Sequence, residues 1–397
     1  MKFKLISAVI ITVFKFDFNK KNTRRANNKS IIKAYYKNIT HDQAIMKLPF
    51  LSTDKLVIGL DIGSHSIKVC ELQKTDKTYS VVNLGSIILP EGAVDDGTLH
   101  DPEAVGKSIT ELLANLKIKQ KKVAISISGY SVIVKKIHLA VMEEKELERY
   151  IMAEAEQYIP FDINDVYLDF QDLKTNTEGS MQTEVMLVAA KKEIVDDYLN
   201  MLQDIGLKPV VVDVDGFALE NIYESNYPQK ENVVLVDIGA TKMNINILTN
   251  GTSVVAKDIP TGSRQLTEQI ADAFEIPMEE AEALKVGQIP AEEKQEQITK
   301  IFTSTCTQWV LEIKKAIDLY HSNRANKQLD KVVLSGGGSK VAGLSEFLQR
   351  ETNVPVELFN PFAKMTSNPK QIDTEYLNTI GPEMAIASGL AIRTSVI

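Results

Sequence analysis

Cysteine is nearly absent. Cys70 and Cys306 are the only two in 397 residues. They exclude a disulfide framework beyond a single bridge, and neither sits in a zinc-type spacing. Both read as reduced core thiols of a cytosolic protein. An excess of positive charge is also missing. The net charge of −8 removes any bulk attraction to nucleic acid. The apolar run "LISAVIITVF" at 5–14 is too short to cross a bilayer as a helix. It resembles the core of a signal peptide, but no small-x-small cleavage site follows it. What remains is ordinary for a globular protein: 44% apolar and 25% charged residues, in a chain long enough for two or more lobes.

The charge is unevenly placed. Residues 1–45 hold ten Lys/Arg against two Asp, a net of +8, which leaves −16 for the rest given −8 overall. "NKKNTRRANNKS" (19–30) reads as a disordered basic tail. "MKLPFLSTDKLVIGLDIG" then begins at Met46 like a natural start. The expectation is that 1–45 is a mis-called upstream extension or a dispensable tail. A membrane-surface anchor is the alternative that the basic, apolar composition permits.

From Lys55 the pattern becomes regular. "KLVIGLDI", "SIKVCELQK" and "TYSVVNLGSIIL" form a meander of three strands. A helix over 101–116 follows, with Asp101 as N-cap and Pro102 in its first turn. Another strand covers 121–129. These make a first lobe, 55–133. Residues 134–206 read as an inserted α/β subdomain. It includes a helix over 143–159 that places Leu147, Ile151 and Tyr158 on one face and stops at Pro160. Residues 207–228 return to the first lobe. The opening motif then recurs: "NVVLVDIGATKMNINIL" (232–248) repeats the form of 56–72, with Asp237 lying 176 residues after Asp61. A repeat at that spacing implies a second, similar lobe over 229–380. A closing small-residue helix (381–397) returns to the first.

The repeated motif carries the chemistry. Asp61-Ile-Gly63-Ser64-His65-Ser66 and Asp237-Ile-Gly239-Ala240-Thr241 each put a carboxylate at a strand end, followed by a glycine that lets backbone N–H groups turn inward. Such arrays bind anions. Lys68 and Lys242 supply cations beside them. Asp61 and Asp237 suit a hydrated Mg²⁺, which takes one or two carboxylates and keeps several waters. One copy alone would read as a hairpin turn with a capping Asp. Two copies in matching lobes favour phosphate. Ser335-Gly336-Gly337-Gly338-Ser339, between a strand and a helix, allows close approach of a flat or charged ligand and reads as an adenosine loop. Gly262-Ser263 is either a further loop of the site or a helix N-cap.

Together these segments resemble the actin-like ATPase superfamily. Five signature segments follow in its order: 56–72, 209–223, 232–248, 331–345 and 381–393. The resemblance implies an α/β actin-like ATPase fold with two duplicated RNase H-like lobes around a nucleotide cleft, and ATP with Mg²⁺ as ligands. It also makes Glu312 and Lys315 a candidate adenine and ribose pair, against an ordinary i,i+3 surface pair. Among the acids Asp213, Asp215 and Glu220, Asp215 is the first candidate for positioning a hydrolytic water, with a helix-capping role as the alternative.

"YIPFDINDVYLDFQDL" and "GTSVVAKDIPTGSRQLTEQIA" look like the PilM family of type IV pilus assembly, which shares its inserted subdomain with FtsA. That resemblance implies a cytoplasmic ATP-binding scaffold, peripheral at the inner membrane, with slow or absent turnover. It would bind the cytoplasmic N-terminal segment of PilN in a groove beside the insertion and link the inner-membrane complex to pilus motor ATPases. Homo-oligomers are compatible with it, and membrane contact would be indirect, through PilN. An FtsA-like division or filament protein and a sugar-kinase-type phosphotransferase are the alternatives. The end of the chain, "SGLAIRTSVI", lacks an FtsA-like amphipathic helix, and no segment is set aside for a kinase substrate. His65 departs from the small residue usual at that place in PilM-like loops.

Overall fold

The computed structural model describes residues 56–394, apart from 77, 174–180, 228–230, 324–327 and 369–370. The expectation for residues 1–45 lies outside the described residues.

Two sheets share one topology. In the first, β1 (Ile58–Ile62), β2 (Ser66–Lys74) and β3 (Tyr79–Ile88) form an antiparallel meander. β4 (Lys122–Ile127) joins β1 in parallel after helix α1 (Pro102–Asn115). Asp101 caps α1 by accepting from the Ala104 N–H at 2.9 Å, as its position before Pro102 dictates. Strand β8 (Lys208–Val214) pairs with β4 in parallel, and a two-residue strand at Thr366–Ser367 extends the sheet beyond β3.

The second sheet repeats the order. β9 (Asn232–Ile238), β10 (Met243–Thr249) and β11 (Thr252–Ile259) form the meander. β12 (Lys331–Ser335) and β13 (Val356–Leu358) add in parallel. The duplication expected from the two Asp-Ile-Gly motifs is therefore a duplication of strand order, not only of a loop.

A separate three-stranded sheet lies between β4 and β8 in sequence. It contains β5 (Val132–Ala140), β6 (Val166–Asp172) and β7 (Gln182–Lys191), with β7 in the middle. Helix α2 (Glu144–Glu154) buries Leu147 and Ile151 against it. This helix is shorter than the expected 143–159. Pro160 disfavours a helical conformation in the residue before it, and the chain tightens into a 3₁₀ turn at Ala155–Gln157. Tyr158 therefore falls beyond the helix. Helix α3 (Lys192–Asp204) ends before Gly206, which takes a left-handed φ of 76°.

Helix α4 (Asp215–Asn226) continues from β8 and is buried along almost its whole length. The second lobe carries α5 (Arg264–Phe274), α6 (Met278–Lys285), α7 (Gln295–Asn323) and α8 (Leu344–Thr352), and its core is anchored by Trp309 and Tyr320 of α7. Helices α9 (Thr374–Ile380) and α10 (Ala385–Ala391) close the chain. Helix α10 presses backbone to backbone on β1 and α4. A Cβ on Gly59 would lie 1.9 Å from the Ala387 carbonyl oxygen, and one on Gly389 would lie 2.0 Å from that of Ala218. The small-residue composition of 381–393 is thus what lets this helix sit at the junction of the lobes.

Candidate functional site

The two phosphate-loop candidates are built alike. Each aspartate is the last residue but one of its strand, and each turn is closed by the glycine N–H: Gly63 donates to the Ser66 carbonyl at 3.1 Å, Gly239 to that of Lys242 at 2.8 Å. The loops meet across the lobes, where the Thr241 hydroxyl donates to that of Ser64 at 2.9 Å. His65 is exposed at the tip of the first loop.

The matching turn bonds set the register of the two loops. Lys68 and Lys242 are not equivalent. Lys68 is the cross-strand partner of Asp61, and its ammonium lies 3.2 Å from that carboxylate. The partner of Asp237 is Asn244. Lys242 stands where the first loop has Ser66. From there it crosses to the first lobe and donates to Asp215 at 2.8 Å, and it also bonds Ser128. Ser128 itself donates to the same Asp215 oxygen at 2.6 Å.

Asp61, Asp215 and Asp237 lie close enough to feel one another's charge, yet their electrostatics differ. Burial raises the pKa of Asp61, against the Lys68 charge. Burial pushes Asp237 up to about 6, although Ser335 donates to it at 2.8 Å. Burial would also raise Asp215, but Lys242 and the hydroxyls of Ser126 and Ser128 outweigh it and hold this carboxyl below its ordinary value. Asp215 does not cap α4. The N-cap is Val214, and the Asp215 carboxylate faces the second lobe.

Glu220, five residues further along α4, is pushed up to about 8, first by burial and then by the Glu224 charge, and accepts a 3.3 Å bond from the Asn246 amide. A carboxyl whose folded pKa lies above its unfolded value keeps a proton in the native state that the unfolded chain has released. Stability is therefore lost as pH rises from about 4.5 to about 8. Glu220→Gln removes this loss and keeps the shape. Its stability advantage over the parent is expected to grow by about 1 kcal/mol per pH unit across that window and to level off above it. Thermal melts between pH 5 and pH 9 check this, and a pH-independent difference would refute it.

The glycine loop after β12 adopts the conformation its composition permits. Gly336 has φ 80°, and a Cβ there would lie 2.4 Å from the Ile238 carbonyl oxygen. A Cβ on Gly338 would lie 2.4 Å from Ile238 Cγ2. Gly337, between them, faces open space, with nothing within 4 Å of an added Cβ. Ser339 turns inward and donates to the Gly336 carbonyl at 2.7 Å.

Gly262 and Ser263 are fastened to the second loop: Ser263 N–H donates to the Gly239 carbonyl at 2.9 Å, and a Cβ on Gly262 would lie 2.3 Å from the Ala240 carbonyl oxygen. Ser263 makes no side-chain cap to α5. Glu312 and Lys315 form a 2.5 Å pair with each other on α7, and Lys315 is mostly exposed. Among the described residues neither bonds to the loops.

Helix α6 touches the loops instead. Lys285, its side chain 2% exposed, pairs with Glu282 at 2.6 Å and donates to the Ser263 carbonyl at 3.4 Å. Its own carbonyl accepts from Ala342, beyond the glycine loop, at 3.1 Å. Sequence reasoning missed this pair. The available signal was an acid three residues before a lysine on the short helix after Gly262-Ser263.

A cavity of about 310 Å³ opens on the other side of Lys242. β5 at Val132–Val134 and β11 at Ala256–Ile259 line it, and each is an outermost strand of its sheet. Asn244 forms part of the wall. Its amide donates to Asp258 at 2.6 Å, while its buried Oδ1 has no partner among the described residues. No helix among the described residues is long and apolar enough to cross a membrane.

A family model described as type IV pilus assembly protein PilM matches residues 59–395. Among solved structures, the chain is similar to that of the PilM-PilN type IV pilus biogenesis complex. That match has 30% identity and a TM-score of 0.76, and covers 85% of this chain and 98% of that one. It shares its fold with the ethanolamine utilization protein EutJ from Carboxydothermus hydrogenoformans, at 15% identity and a TM-score of 0.51, over 85% of this chain and 89% of that one. The cell division protein FtsA of Escherichia coli K12 is 23% identical over 359 residues, 77% of this chain and 84% of that protein. The fold is that of the actin-like ATPases, and the chain belongs to the PilM family of type IV pilus assembly proteins.

Proposed function

We propose that the chain is a nucleotide-gated adaptor of type IV pilus assembly, cytoplasmic and peripheral at the inner membrane. It binds ATP between its lobes and the cytoplasmic N-terminal segment of PilN beside its inserted sheet. Through PilN it connects the inner-membrane complex to the pilus motor ATPases, and copies of it associate. The observation that carries this reading is the match along 98% of a chain in the structure of the PilM-PilN complex.

The residues fit a nucleotide. The glycine-closed loops after Asp61 and Asp237 would hold the phosphates, with Lys68 as the nearest cation. Gly337 and the Glu282–Lys285 pair would bound the adenosine. No group of three or more His, Cys, Asp or Glu among the described residues is placed to hold a metal ion. Mg²⁺ would therefore depend on phosphate oxygens and water, with Asp61 and Asp237 as its carboxylates. Such an ion would supply charge neutralisation for the phosphates. For the partner segment, the cavity between β5 and β11 offers two outer strands and the unpartnered Asn244 oxygen, which an extended peptide's N–H would satisfy.

Calorimetry on the full chain tests both halves. ATP with Mg²⁺ and a synthetic PilN N-terminal peptide are each expected to bind. Each should change the other's affinity by the same factor, because coupling between two sites is reciprocal. Nucleotide binding without peptide binding would remove the adaptor role and leave a filament or kinase reading.

A further inference from the structure

We propose that Lys242 is a latch: its ammonium ties the two lobes together through Asp215 and keeps that carboxylate from serving as a base, so that nucleotide is held rather than hydrolysed. The inference rests on the nucleotide reading of the cleft and adds how turnover there is restrained.

Three observations carry it. The first is position. The identical turn bonds of Gly63 and Gly239 equate Lys242 with Ser66, so the first loop has a short hydroxyl residue where the second has a long cation. That cation is not needed to close its own turn. The second is reach. Lys242 belongs to the β9–β10 turn of the second sheet, yet its partners, Asp215 and Ser128, belong to β8–α4 and to the residue after β4 in the first. A lobe opening of a few ångströms must break this pair. The third is saturation. One oxygen of Asp215 takes both Lys242 and Ser128, the Ser126 hydroxyl adds a further donor, and the residue is buried.

The chemistry follows. Hydrolysis forms a bond from a water oxygen to the γ-phosphorus. The bond from that phosphorus to the bridging oxygen breaks, and ADP leaves with its electron pair. The attacking water must lose a proton. Of the acids of the connecting segment that reach the second lobe, Glu220 through Asn246 and Asp215 through Lys242, Asp215 is the one paired with a cation, and its lone pairs are already directed at fixed donors. A carboxylate held in this way is a poor proton acceptor. The same pair opposes the opening through which product would leave.

Lys242→Met removes the ammonium and keeps an apolar stem of similar length against the cavity. Two readouts apply. In nucleotide-free full-length protein, hydrogen–deuterium exchange at Ser126–Ser131 and Thr241–Asn244 is expected to rise in the variant. With a fluorescent ATP analogue, dissociation is expected to quicken about tenfold, and inorganic phosphate is expected to appear in a single turnover. Adding Asp215→Asn should abolish the phosphate signal but keep the fast dissociation. The double variant also removes both members of the buried pair, which is the better tolerated change if Lys242→Met alone folds poorly.

Parent-like exchange and dissociation in folded Lys242→Met, or in the double variant, would overturn the latch. If the parent binds no ATP analogue, the nucleotide reading fails, and the exchange experiment still decides whether Lys242 ties the lobes.

Discussion

Gly337→Val is expected to lose ATP affinity by at least about 100-fold, or ~2.7 kcal/mol, while melting at nearly the parent temperature. The two halves of this expectation have separate causes. Gly337 has nothing within 4 Å of an added Cβ, and its φ lies outside the left-handed region that only glycine favours. The folded protein therefore accommodates the side chain. A branched side chain there projects into the space where the proposed adenosine would lie, and excludes it. The neighbours serve as controls. Gly336→Val combines a φ of 80° with a Cβ 2.4 Å from the Ile238 carbonyl oxygen, so it should unfold rather than fail to bind. Asp61→Ala should also abolish binding in a folded protein, since it leaves Lys68 partly exposed and free to find water. Fluorescence titration with melts on the same samples separates the cases. Unchanged ATP affinity in Gly337→Val would refute the placement of the site.

Much of the architecture was legible because both signals were local and repeated. Strand periodicity, Gly-closed turns and the Asp101–Pro102 helix start depend on neighbours in sequence, and the second Asp-Ile-Gly announced a second lobe. The backbone turns at Gly63, Gly239 and Gly336–Gly338 were legible for the same reason. What could not be read depends on register and on helix facing. A lysine six residues after Ile62 and one four residues after Ile238 look alike in the string, yet a shift of two along a hairpin separates a strand residue paired with Asp61 from a turn residue that reaches Asp215. Likewise Glu312–Lys315 and Glu282–Lys285 are the same i,i+3 pattern. Only the packing of α6 against Ser263 and Ala342 distinguishes them.

Arg393→Met is expected to destabilise the fold by about 3–5 kcal/mol, because it strands a buried charge. The Arg393 guanidinium, just beyond α10, donates to Asp213 from Nε at 2.7 Å and again from a terminal nitrogen, and the Asp213 side chain is fully buried. Even with its partner present, burial keeps the pKa of Asp213 above the ordinary carboxylate value. Without it the shift grows, so the variant should regain stability as pH falls and Asp213 takes up a proton. Asp213→Leu combined with Arg393→Met should recover most of the loss at neutral pH, since both charges are then gone. Chemical denaturation at pH 5 and pH 7 checks all three; a loss under 1 kcal/mol at neutral pH for Arg393→Met would show that water reaches the pair. The result also bears on function. Asp213, Asp215 and Glu220 are indistinguishable as acids in one short stretch. The structure commits Asp213 to Arg393 and leaves Glu220 protonated beside Asn246 at neutral pH. Of the three, Asp215 alone has its carboxyl held below its ordinary pKa and paired with a cation of the opposite lobe. Arg393→Met should therefore lower stability and ATP affinity together, through β8, which leads into Asp215, whereas changes at Lys242 act on nucleotide release.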